Sequence, residues 1–212
     1  MYWRQVLKRV VAVIRFFSER GLTFRGDNGI FRSVYNGYYL GVLQLLAQFA
    51  PFLAEHIQTR CNPGRGNTNY LSSTICDEFM MMLGDRILTT ICCEIKSTKY
   101  FSIMLDSTSD HSHTDQLTFI VRYVNQGGEV LERFLKCVPI ISHTGENLEQ
   151  CVLDTLSELD LNLGNCRGQS YNSAANMSSR CKELQARILQ LNSLADCSMR
   201  DSFVKLGWPG EC

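Results

Sequence analysis

The first feature of this chain that could do chemistry is a carboxylate at the end of a short apolar run. Asp106 closes Y-F-S-I-M-L-D (100–106) and is followed by S-T-S-D. An apolar strand that delivers an acid at its C-terminal end is where α/β proteins commonly build sites. The structural alternative is an acid that caps the next turn through Ser107 or Thr108. Asn172, in C-R-G-Q-S-Y-N-S-A-A-N-M, has one carbonyl oxygen and no charge, which makes it a poor ligand for Mg²⁺ and a good helix N-cap. His111, His113 and Asp115 form the dense cluster D-H-S-H-T-D-Q, and H-x-H on a strand would offer two imidazoles on one face to zinc. That segment lies between two strands, which favours a solvated loop, and no distant ligand set accompanies it. His56 and His143 stand alone. Met80, Met81 and Met82 suit core packing better than a cofactor, and G-R-G-N (64–67) lacks the G-K-[ST] of a phosphate loop.

The elements that would position these residues follow from periodicity. Trp3, Val6, Leu7, Val10, Val13, Ile14 and Phe17 recur at helical steps, and Gly21 closes that helix. The stretch 21–37 is rich in Gly and Asn and reads as a loop. A second helix runs from Asn36 through Leu46, a third from Pro51 to about Gln58, and 61–69 is a linker. Ser72 or Ser73 caps a long helix that ends near Thr98. At residue 100 the pattern changes to strands at 100–106 and 117–124, a turn at Gly127 and Gly128, and a third strand from Val130 to about Pro139. A helix from Glu146, a short strand at 165–170 and a last helix from Ala174 complete the order.

Strand, strand, strand, helix, strand, helix is an antiparallel meander plus a parallel fourth strand reached through a helix. The fold class is α/β: a helical N-terminal segment (1–98), then an incomplete ribonuclease-H-like core (99–195). In that fold, acids on the first and fourth strands lie side by side and hold divalent metals for phosphodiester chemistry. Here the two positions read Asp106 and Asn172.

Lys and Arg number 21, as do Asp and Glu, so the net charge is zero and a uniformly basic nucleic-acid glove is excluded. Hydrophobic residues at 45% exclude intrinsic disorder. No apolar run reaches the ~18 residues of a membrane span, and the charged N-terminus is not a secretory signal. Ten scattered cysteines with no C-x-x-C read as buried reduced thiols in a reducing compartment, nuclear or cytoplasmic.

Several long motifs resemble the hAT-superfamily transposase-derived proteins, in particular those of the zinc finger MYM-type 1-like and TTF-type zinc finger group. They are S-I-M-L-D-S-T-S-D-H-S-H-T-D-Q-L-T-F-I-V-R-Y-V, S-H-T-G-E and N-C-R-G-Q-S-Y-N-S-A-A-N-M-S, with W-R-Q-V-L-K-R-V-V-A-V-I-R-F-F and G-L-T-F-R-G-D-N upstream. The resemblance spans roughly residues 2–195. It implies a metal-dependent DNA-transferring ancestor in which three acids bind Mg²⁺ or Mn²⁺. Asp106 occupies the first acid position. Asn172 stands where relatives read Asp, and the third acid, a zinc finger and a dimerisation region would lie outside this chain. The tail, 196–212, departs from the family pattern as a frameshift would, and is expected to pack poorly.

The expectation is therefore a catalytically inactive, transposase-derived fragment with no cofactor, whose function, if it has one, is that of a nuclear module binding nucleic acid or protein. Its ancestral partner is DNA, its present partner is unknown, and an exposed sheet edge would favour self-association. The alternatives are a metal-dependent DNA transposase or nuclease with Asp106 as one ligand, and a zinc module built on His111 and His113.

Overall fold

The computed structural model describes residues 2–61, 69–109, 115–140, 142, 144–172 and 178–197. The helices are α1 (Tyr2–Ser18), α2 (Gly37–Phe49), α3 (Pro51–Arg60), α4 (Ser73–Thr98), α5 (Gly145–Glu158) and α6 (Ser178–Leu191). The strands are β1 (Phe101–Ser109), β2 (Asp115–Val124), β3 (Val130–Pro139), β4 (Cys166–Asn172) and β5 (Asp196–Cys197). The chain divides into two compact units, and it passes from one to the other inside α4, between Asp85 and Arg86. The sequence pattern places the change at residue 98, where helix gives way to strand.

The first unit is helical. Val6, Val10, Val13, Ile14 and Phe17 form the buried stripe of α1. They share a core with Tyr39, Leu40 and Leu43 of α2, Leu53 of α3, Leu71 and Cys76. Each such aliphatic side chain contributes roughly 1.5–3 kcal/mol by leaving water. The loop between α1 and α2 folds back on itself at two glycines. A Cβ on Gly26 would lie 2.3 Å from the Gly37 nitrogen, and Gly37 has φ +78°, so the two backbones meet only where both residues lack a side chain. Of the three consecutive methionines, Met80 packs against this core, whereas Met81 and Met82 are exposed.

His56 is fully buried in the same unit. Its Nε2–H donates to the Asn69 carbonyl at 2.7 Å, and its Nδ1 accepts from the Tyr2 hydroxyl at 2.6 Å. Both contacts fit the neutral ring. Trp3 stands edge-on at 5.8 Å, and the Arg60 guanidinium lies over the Trp3 ring. Burial, and then the Arg60 charge, hold the imidazole below its ordinary pKa against the opposing pull of the Asn69 carbonyl.

The second unit is one sheet of order β3-β2-β1-β4-β5. β1 to β3 are the antiparallel meander, and β4 lies parallel to β1. The β2–β3 turn is built on Asn125, whose Oδ1 accepts from the amides of Gly127 and Glu129, each at 2.9 Å. Phe101, Ile103 and Leu105 of β1 join Leu117, Phe119, Val121 and Tyr123 of β2 in a core with Ile91 and Ile95 of α4, Leu148, Val152 and Leu156 of α5, and Leu184 and Ile188 of α6. α5 begins at a Thr144 cap whose Oγ1 accepts from the Asn147 amide at 3.3 Å.

The sheet departs from expectation in extent at two places. β1 runs three residues past Asp106 because β2 starts earlier, at Asp115, and pairs it as far as Ser109. At the other edge, Asp196 and Cys197 pair with Gly168 and Gln169, so the first two residues of the expected poorly packed tail extend the sheet. Residues 198–212 lie outside the described ones. The cysteines described with their side chains are free thiols, but they are not uniformly buried. Cys76, Cys92 and Cys166 are buried, whereas Cys93 and Cys137 are exposed. Burial raises the Cys61 and Cys76 thiols to about 11, well away from thiolate chemistry.

The His56 geometry fixes a pH dependence. The folded state prefers the neutral ring, so the unfolded chain takes the proton first. The stabilisation is complete above the unfolded pKa of about 6.5 and is lost as pH falls through it towards the lower folded value. Urea unfolding followed between pH 7.5 and pH 5 should show stability falling with pH, and His56→Gln should remove part of that slope.

Candidate functional site

The site begins with the pairing of β1 and β4. In the parallel register Met104 lies beside Ser170, Leu105 beside Tyr171, and Asp106 beside Asn172. Neighbouring strands lie about 4.8 Å apart, so two carboxylates at such paired positions would be close enough to share one divalent ion. On its other side Asp106 pairs with Thr118, whose Oγ1 lies 3.5 Å from the Cys137 sulfur. Both backbone neighbours of Asp106 are therefore residues without charge. Strand alternation puts Phe101, Ile103 and Leu105 into the core and sets Asp106 on the opposite face, where it is half-buried.

What holds β4 in this register is a set of buried amides. Gln169 is 2% exposed. Its Nε2 donates to the Ala195 carbonyl at 2.9 Å and to the Gln185 carbonyl at 3.3 Å, and its Oε1 accepts from the Tyr171 hydroxyl. One side chain thereby joins β4 to α6 and to the start of β5. Asn192, just past α6, works from the other direction. Its Nδ2 donates to the carbonyls of Leu163 and Cys166, at 2.7 and 2.8 Å, and its Oδ1 accepts from the Leu194 amide at 3.1 Å. The chain entering β4 is thus tied to the chain leaving α6. Gly168 completes the fit, since a Cβ there would lie 2.7 Å from the Ser102 Oγ of β1.

Sequence reasoning singled out Asp106 and Asn172, and the backbone register brings these two positions together. Asn172 is the last residue of β4. His111 and His113 lie outside the described residues, as does His143. Asp115 is the first residue of β2, paired with Ser109. His56 belongs to the helical unit. Among the described residues, no three His, Cys, Asp or Glu side chains gather as a metal-binding group. Gln169 and Asn192 carry no motif that marks them in the sequence. The available signal was a glutamine at a core position of a strand, and an asparagine directly after a helix with an amide two residues on.

The family model described as ZMYM1/FAM200, RNase-like domain, matches residues 1–182. The chain belongs to this family. The ZMYM1/FAM200 match takes in the helical unit and the sheet as far as the first turn of α6. It agrees with the transposase-derived character that the motifs around Asp106 and Asn172 suggest. The chain is also similar to the 52 kDa repressor of the inhibitor of the protein kinase. It is 24% identical to the human protein over 136 residues and 27% identical to the mouse protein over 137. Each match covers 64% of this chain and 18% of the relative, so the matched stretch spans under a fifth of those proteins.

The Gln169 network gives a direct stability test of this ZMYM1/FAM200-type core. Gln169→Leu keeps the volume but removes the amide that bonds the Ala195 and Gln185 carbonyls and the Tyr171 hydroxyl. Chemical denaturation should register a loss of about 1–3 kcal/mol. A change below about 0.5 kcal/mol would show that the network does not hold β4.

Proposed function

We propose that this chain is a non-catalytic, transposase-derived binding module. The observation that supports this most directly is the register that sets Asn172 beside Asp106. A two-metal phosphodiester centre needs paired carboxylates, because the ions neutralise charge that develops on the attacking and leaving oxygens. An amide in the second position removes one unit of negative charge and one ligand oxygen. Loss of a single preorganised stabilising group commonly costs roughly 10²–10³ in rate, and loss of a metal ligand removes the ion's contribution as well.

With the chemistry gone, what the fold retains is surface. The two units present a helical bundle and a mixed sheet with no net charge overall. That balance supports a protein partner over a non-specific nucleic-acid one. The relatives' printed name describes a repressor acting on an inhibitor, a regulatory role that a binding module can fill without catalysis. The free thiols suit a reducing compartment, the nucleus or the cytosol. No helix of the described residues is long and apolar enough to cross a membrane.

Incubation of the purified chain with supercoiled plasmid and either Mg²⁺ or Mn²⁺ tests the reading. The expected outcome is no nicking above the metal-only control. Metal-dependent nicking that disappears in Asp106→Ala would overturn it and restore the metal-dependent nuclease reading.

A further inference from the structure

One buried oxygen of the helical unit has no protein partner. Tyr39 of α2 is 3% exposed, and among the described residues its hydroxyl is the one buried side-chain oxygen or nitrogen that makes no hydrogen bond. A phenol withdrawn from water ordinarily keeps a hydrogen bond, so an orphan of this kind points to a partner from outside the chain. Burial, and then Cys76, push its pKa up, so the hydroxyl keeps its proton and remains a donor.

Tyr39 lines a cavity of about 210 Å³ between residues 24–29, α2 and the first turn of α4. Phe24 and Leu40 supply apolar wall, and Cys76 stands on the α4 side. Asp27 also lines it, as does Arg25, which is paired with Asp77. The wall is fixed by its own bonds. The Asn28 Nδ2 donates to the Ser33 Oγ at 3.0 Å, and the Asn28 amide donates to the Tyr35 carbonyl at 3.2 Å. The buried Asn36 donates through Nδ2 to the Ile30 carbonyl at 3.2 Å and to the Gln44 Oε1 at 2.9 Å. The cavity is therefore formed by the chain itself, as small-molecule sites usually are.

We propose that this cavity binds a small uncharged ring that carries a carbonyl beside an N–H, a lactam heterocycle, with the Tyr39 hydroxyl donating to the carbonyl and Asp27 accepting from the N–H. Size sets the first limit. An apolar cavity of roughly 150 Å³ takes one benzene, so this one suits a single substituted ring. Charge sets the second. Asp27 and Asp77 against Arg25 leave the lining net negative, which disfavours phosphates and carboxylates. A bare cation would suit Asp27 but gives the Tyr39 donor nothing to bond. A hydrocarbon would leave that donor unpaired and buried.

The inference is independent of the chemistry at Asp106. Titration of 2-pyridone into the 212-residue chain, followed by amide chemical shifts, tests it. The expected result is saturable shifts around Phe24–Gly29, Tyr39 and Cys76 with a Kd of about 1 mM, within reach of so small a ligand. Tyr39→Phe keeps the ring and removes only the hydroxyl. It should weaken binding about fivefold, the worth of one hydrogen bond, while the thermal melt of the free chain stays unchanged or rises. Asp27→Ala, at an exposed position, should also weaken binding about fivefold and leave the melt unchanged. It reads the site independently of Tyr39. A melt lowered by Tyr39→Phe would mean that the hydroxyl serves the fold alone, and would overturn the proposal. Shifts that do not saturate, an affinity indifferent to either substitution, or inorganic phosphate binding at the same amides would overturn it as well.

Discussion

The parallel pairing of β1 with β4 is the constraint on which the rest of the sheet unit depends. The meander β1–β3 is local, its consecutive strands joined by short connections whose closure costs little chain entropy. β4 is different. It arrives through α5 and must find one register against β1, because a shift by one residue would send its core side chains to the wrong face. Buried amides enforce that register. Gln169 ties β4 to the carbonyls of Ala195 and Gln185, and Asn192 ties the end of α6 to Leu163 and Cys166 at the entrance of β4. Buried polar groups of this kind carry a large penalty when any partner is lost, which is why they specify one arrangement.

The same register decides the chemistry. It places position 172 beside position 106 whatever residues occupy them, so the fold supplies the geometry of a paired-acid site without reference to its use. With Asp at one position and Asn at the other, the frame persists while its charge is halved. Stability and catalysis are separable here, because the side chains that lock β4 are not those that would hold a metal. The fold of such a domain therefore does not depend on which residues stand at the paired positions.

Much of this architecture was legible in the sequence, and the reasons are local. The apolar runs ending at Asp106 and Val124, the Asn125–Gly128 turn, Pro51 at the start of α3 and the Thr144 cap each carry their signal within a few residues. What was not legible depends on distant partners. His56 reads as a lone helical histidine, because Tyr2 is 54 residues before it and Asn69 is 13 after it. Gln169 reads as a polar residue in a weak strand until the Ala195 carbonyl, 26 residues on, is placed beside it. The full length of β1 is not legible locally, because its last three residues are polar and only the earlier start of β2 pairs them. The division of the chain inside α4 was hidden as well, since a continuous helix gives no break in periodicity. At the site itself, both residue positions were legible from topology rules, while the amides that hold them in register were not.

On the proposed reading, positions 106 and 172 do not form a divalent-metal site, and paramagnetic broadening by Mn²⁺ reads this most directly. Backbone amide spectra of the chain and of Asn172→Asp would be followed through the same Mn²⁺ titration. No selective broadening is expected around Met104–Ser107 and Ser170–Asn172 in the natural sequence, and it should appear at those amides once Asp stands at position 172. Selective broadening of these amides in the natural sequence, lost on Asp106→Ala, would contradict it.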